Sequence, residues 1–192
     1  MPSVLTHPAV VLALGPAFAR FGIRPRLWLV GTACSVIPDL DSIGYHLGVP
    51  YNSLFGHRGF THSLTFALAL ALLLAPLCRR LSPPVSFLTA TLFCFLCTAS
   101  HGVLDALTNG GLGVAFFSPF IQDRYFFPWH PIVVSPLSIS HFLAGRGIPV
   151  LLSELQWVVL PSIIVGLVLR YLVPKHGPNN SFKPTAEVGP IQ

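Results

Sequence analysis

His57-Arg58-Gly59-Phe60-Thr61-His62-Ser63 leads straight into an apolar run, Leu64 to Leu77, that carries no charge. Imidazoles and a guanidinium at the mouth of a lipid-seeking segment are expensive to place there. They are retained where they hold something polar. Further placed polar residues, Asp39 and Asp41, then His101 and Asp105, stand in similarly apolar surroundings and point to a metal ion. The reading is a membrane protein with a metal-type constellation.

Composition agrees with that class. The 192 residues are 53% hydrophobic and 9% charged, with a mean hydropathy of +0.71, whereas soluble domains carry about 25% charged residues. The length suits one all-α bundle of roughly four to six spans at about 20 residues each. The net charge of +5 does not indicate nucleic acid. Its basic residues are scattered in ones and twos between apolar runs, with the clusters Arg20/Arg24/Arg26 and Arg79/Arg80 placed as in cytoplasmic loops. Cys34, Cys78, Cys94 and Cys97 lie in or at the end of apolar runs. Cys94 and Cys97 have redox or zinc spacing but no second pair, so they read as small buried hydrophobes. The first residues show neither a basic leader nor a small-residue cleavage site, so no cleavable signal peptide is expected.

Five apolar segments follow one another: Val4–Phe21, Leu27–Leu47, His62–Cys78, Val85–Leu107 and Ile148–Val173. The expectation is about five spans in one membrane domain, residues 1–173. Thr108 to Gly147 is broken by Pro and rich in aromatics, which suits an interfacial loop with Tyr and Trp at headgroup depth. Residues 174–192 are polar and read as a disordered tail. With the N-terminus outside, Arg20, Arg24, Arg26, Arg79, Arg80, Arg170, Lys175 and Lys183 fall inside, against Arg58, Arg124 and Arg146 outside. Eight to three satisfies the positive-inside rule. That orientation also brings His7, Asp39/Asp41, His57/His62 and His101/Asp105, from four separate segments, to one outer face.

The spacings say what these residues can do. His101 and Asp105, four apart, share one helical face and can ligate one metal or bridge two. His57 and His62 straddle Gly59, so a loop entering a helix, with Thr61 or Ser63 as N-cap, would aim both inward. Arg58 suits a phosphate or carboxylate. Pro38 removes a backbone donor and opens the helix where Asp39 and Asp41 stand. Asp39 is placed as a bridging ligand, and Asp41 as ligand, base or orienter. His7 joins the set by sharing its face, and Glu154 is a functional candidate because it is an acid inside a span. Oxygen ligands mixed with imidazole suit zinc, manganese or iron, one or two ions per chain. Two such ions clamp the attacking and leaving oxygens in phosphoester hydrolysis.

The set Thr6-His7, Pro38-Asp39-Leu40-Asp41, His57-Arg58-Gly59-x-Thr61-His62-Ser63 and His101-x-x-x-Asp105 resembles the YdjM-like (DUF457) family of inner-membrane proteins. Ser118-Pro119-Phe120, Arg124-Tyr125, Ser135-Pro136-Leu137 and Glu154-Leu155-Gln156-Trp157 extend the likeness over about residues 3 to 173. The resemblance implies a bacterial inner-membrane location and a metal-dependent hydrolase. His101-x-x-x-Asp105 is also similar to the His-x-x-x-Asp of zinc-dependent phospholipase C and P1-type nucleases, all-helical enzymes with His/Asp-held metals.

Residues and resemblance together lead to one expectation: hydrolysis of an ester or phosphoester, including that of a lipid, by metal-activated water at the outer (periplasmic) face. His7, Asp39, His57, His62, His101 and Asp105 are the expected ligands. Asp41, Arg58 and Glu154 are the expected reacting or substrate-holding groups. The alternative is a non-catalytic membrane protein, an ion- or proton-coupled transporter or a metal-binding scaffold. A transport path places polar groups through the full membrane depth, whereas these gather on one side. The orientation has a direct test. An alkaline phosphatase fused after Arg80 should be inactive and one fused after Leu107 active; the reverse pattern would undo the shared-face argument.

Overall fold

The computed structural model describes residues 2–136 and 138–172, so the expected tail falls outside the described residues. The chain forms α1 (Ala9–Phe18), α2 (Pro25–Val36), α3 (Ser42–His46), α4 (Leu64–Leu81), α5 (Phe87–Ala106), α6 (Ile139–His141), α7 (Gly147–Glu154) and α8 (Leu160–Leu172). Tight 3-10 turns cover Ala19–Phe21, Ile37–Asp41 and Phe60–His62, and π turns link α6 to α7 and α7 to α8. Among the described residues there is no strand, only isolated bridges from Thr108 to Ile132 and from Val114 to Tyr125. The class is all-α, as expected.

The span count is lower than expected. Among the described residues, three helices are long and apolar enough to cross a membrane: Leu64–Leu81, Phe87–Ala106 and the kinked stretch Phe142–Leu172. The first two apolar segments fall short. α1 has 10 residues and α2 has 12, about 15–18 Å at 1.5 Å per residue, against a hydrocarbon core of about 30 Å. Pro38 and the Asp pair explain the second case, because the regular helix stops at Val36 and a 3-10 turn takes over. The last span begins earlier than Ile148, passing through a kink at Gly145, whose φ is +105.

The α4–α5 pair is the backbone of the bundle. Ser63 caps α4, its hydroxyl accepting from the Phe66 N–H at 3.0 Å, and Ser86 caps α5 in the same way through Thr89. In α4 the buried positions are Ala67, Ala71, Ala75 and Cys78, a stripe of small residues that admits a close neighbour. Leu68, Leu72, Leu73 and Leu77 are exposed, as a lipid-facing surface requires. All four cysteines join Leu27, Phe93 and Val85 in one core between α1, α2, α4 and α5. They are free thiols, with Cys78 and Cys94 Sγ atoms 3.7 Å apart. The expectation of small buried hydrophobes matches this placement.

α1 packs against α8 through Gly166, where an added Cβ would lie 2.2 Å from the Leu12 carbonyl oxygen. The two backbones therefore approach as only glycine permits. The aromatic loop docks onto these helices: the Phe127 N–H donates to the Ala106 carbonyl, the Val133 N–H donates to Ser153 Oγ, and Trp129 meets Trp157 edge-on at 4.9 Å. The fold thus brings the start of α1, the end of α2, the start of α4 and the end of α5 to the same place.

Candidate metal centre

Four imidazoles and three carboxylates meet there. The chain has eight histidines and six acids, so their concentration in one apolar bundle needs a cause. α5 contributes His101 and Asp105, both fully buried and one turn apart. His101 lies with its Nδ1 2.7 Å from the Ser35 carbonyl. That bond needs a proton on Nδ1, which leaves the Nε2 lone pair for the cluster. Pro38, just past the end of α2, has no N–H to offer the carbonyls of the last turn.

His101 Nε2 stands 3.3 Å from Asp39 Oδ1 and 3.1 Å from His62 Nε2. His62 Nε2 is also 3.3 Å from Asp105 and 3.9 Å from Asp39. His7 stacks on the His101 ring at 3.7 Å, its Nε2 4.0 Å from Asp39. Neither nitrogen of His7 and neither oxygen of Asp39 has a hydrogen-bond partner among the described residues. Buried polar atoms without partners are rare and call for an explanation. Acceptor atoms from imidazole and carboxylate converging on a common point are what a divalent cation requires. Two sets of ligand atoms lie within 4.8 Å of one another, His7 with His101 and Asp105, and Asp39 with His62 and His101.

A third such set, Asp41 with His57 and His62, differs because its members already bond to each other. His57 Nδ1 is 2.7 Å from Asp41 Oδ1, so its N–H donates to the carboxylate and leaves Nε2 without a partner. The other Asp41 oxygen accepts from Thr61 Oγ1 at 2.6 Å and lies 3.1 Å from His62 Nδ1. Burial opposes ionisation of Asp41, but the bonds from His57 and His62 override it and hold its carboxyl well below the usual range. Burial likewise disfavours a charged His62, yet Asp105 and Asp41 on its two sides raise it to about 9. Burial, then the charge of His101, push His7 down to about 3.

Arg58 completes the wall from an unusual backbone position, a non-glycine residue at φ +63. In return its carbonyl accepts from the Ala115 N–H and its side chain turns inward. Nε lies 3.1 Å from Asp105, Nη1 donates to the Gly110 carbonyl and Nη2 to Thr108 Oγ1. Each nitrogen thus meets an oxygen inside the protein, and the geometry makes Arg58 a clamp on Asp105. Arg124 is a second tie, donating to the carbonyls of His57, Tyr51 and Ser53 and so fixing the loop that carries His57.

Glu154 stands apart from the cluster. Its carboxylate accepts from both the backbone N–H and the hydroxyl of Ser3, and Ser3 in turn accepts at its carbonyl from Thr6. A buried acid in the last span therefore anchors the turn that presents His7. Of the nine predicted residues, the structure gathers eight and puts Glu154 one connection away. The sequence did not reveal Ser3, Ser35 and Thr108, because a carbonyl or hydroxyl reached from 50 to 151 residues away leaves no spacing to read.

A sequence profile described as "YdjM inner membrane protein" matches residues 1–176. The chain is 39% identical over 165 residues to "Inner membrane protein YbcI" of Escherichia coli (strain K12), covering 86% of this chain and 95% of that protein. No solved structure matches. Replacing Glu154 with Ala should leave the Ser3 N–H and hydroxyl without their acceptor, costing about 1–3 kcal/mol. Thermal unfolding in detergent would show a lowered midpoint, with Glu154→Gln, which keeps one acceptor oxygen, falling between wild type and Ala. An unchanged midpoint in Glu154→Ala would refute the anchor.

Proposed function

The chain belongs to the YdjM family of inner membrane proteins, and from that premise we propose that it is a metal-dependent hydrolase of an ester or phosphoester. The observation that carries the reading is the pair of orphaned groups, His7 and Asp39, beside a His101 whose Nδ1 is held by the Ser35 carbonyl so that its Nε2 lone pair faces the cluster. His7, Asp39, His62, His101 and Asp105 would hold the divalent ion, zinc foremost, with manganese or iron as alternatives. Bound there, the ion would activate water and polarise the scissile bond.

The chain's own groups divide the remaining work. His57, expected among the ligands, is better placed to take a proton: Asp41 fixes Nδ1–H and leaves Nε2 as a buried lone pair. Asp41 orients it and, through Oδ2, also positions His62. Arg58 holds Asp105 in place and balances its charge. Glu154 keeps His7 in position through Ser3.

A second reading has one observation in its favour. His7, His101, Arg58 and Asp105 have no solvent exposure at all, which also suits a purely structural ion. One series separates the two. Protein purified in detergent should carry stoichiometric metal by elemental mass spectrometry, and Asp39→Ala or His101→Ala should lose it. His57→Ala should keep the metal while hydrolysis of bis-p-nitrophenyl phosphate falls about 10²–10⁴-fold. Metal content untouched by Asp39→Ala and His101→Ala would sink the site; metal present without any hydrolysis would leave the structural reading.

A further inference from the structure

Beside the cluster, where α4 begins and α5 ends, the structure forms a groove of about 390 Å³ walled by Leu64, Val103, Phe116, Phe117, Tyr125 and Phe127. That volume lies within the roughly 300–1,000 Å³ of small-molecule sites. Its walls offer aliphatic and aromatic carbon and the tyrosine ring. A soluble polar ligand would lose its water there without gaining partners. A hydrocarbon chain would not.

The groove is braced rather than collapsed. The Leu64 N–H donates to the Phe116 carbonyl at 2.9 Å, and the Phe127 N–H donates to the Ala106 carbonyl at 3.0 Å. Phe116 meets Phe127 edge-on at 6.5 Å, and Phe117 meets Tyr125 at 5.7 Å. On α5 a Cβ at Gly102 would lie 2.8 Å from the His62 carbonyl and 3.3 Å from the Phe116 ring. Only a glycine there lets the His62 turn and the aromatic wall rest on one helix face.

Its place decides what fills it. Leu64 is the first residue of one membrane helix, and Val103, 38% exposed, lies in the last turn of another. The groove is thus continuous with the lipid-facing surface of the α4–α5 pair, at the depth where exposed Phe120 and Trp129 would meet headgroups. It also shares its supports with the metal cluster: Leu64 is two residues from His62, and Ala106 follows Asp105.

We propose that this groove seats one acyl chain of a bilayer phospholipid, so that an acyl-bearing lipid is the class of ester presented to the cluster. The second half rests on the hydrolase reading above; the first does not.

The test uses the full chain purified with its metal, and phosphatidylethanolamine carrying a mid-chain diazirine as probe. Photolabelling should concentrate on peptides containing Leu64, Val103 and residues 116–127. It should fall about tenfold in Val103→Trp, equivalent to one decade in affinity, while metal content stays unchanged. Dioleoylphosphatidylethanolamine should displace the label from the wild type, whereas chainless glycerophosphoethanolamine should not, an arm that holds even if the Trp variant misfolds. Label spread evenly over the exposed faces of α4 and α8, or displaced by the chainless competitor, would overturn the proposal. A wild type that takes the label but holds no metal refutes the hydrolase reading and leaves the groove standing. One that holds metal but takes no label does the reverse.

Discussion

Charge buried against hydrocarbon has to be compensated where it stands, and this bundle buries the side chains of three carboxylates, four imidazoles and a guanidinium at one end. An unpaired ion in such a place would cost several kcal/mol. The rest of the structure can be understood as the means of compensation. Asp105 is held by Arg58 and His62, Asp41 by His57, His62 and Thr61, and His101 by the Ser35 carbonyl. Asp39 and His7, whose polar side-chain atoms find no hydrogen-bond partner among the described residues, stand where a cation could be held.

The same constraint explains why helices stop where they do. α2 ends before Pro38, a 3-10 turn carries Asp39, and the Ser35 carbonyl in the last turn of α2 accepts from His101. α4 starts at Leu64, capped by Ser63, which directly follows His62. The loop from Thr108 onward gives up regular structure to supply Thr108 and Gly110 to Arg58 and Ala115 to the Arg58 carbonyl. Irregular backbone at membrane depth is tolerated where it is buried in protein or lines a cavity, and here it forms the wall of the site.

Much of this was legible in the sequence. The helical class followed from composition, and the cluster from polar residues stranded in apolar runs. The turn at Pro38 followed from local chemistry, and the cap of α4 was narrowed to Thr61 or Ser63, of which the structure uses Ser63. The span count did not follow, because an apolar run reports hydrophobicity and not whether Pro38 and two aspartates will break it before it is long enough. The partners of Arg58 were not legible either: a guanidinium beside ligands suggests an anion, and its bonds to Thr108 and Gly110 lie 50 and more positions away. Glu154 could be recognised as costly, but Ser3, its partner 151 positions away, could not.

The account depends on a nitrogen- and oxygen-ligated cation at the meeting of α1, α2, α4 and α5. X-ray absorption at the zinc edge of the loaded protein measures that shell directly. Its prediction is imidazole nitrogen and carboxylate oxygen at about 2.0–2.2 Å, with outer-shell scattering from imidazole rings. A sulfur shell at about 2.3 Å would instead place the metal among Cys34, Cys78, Cys94 and Cys97, and contradict it.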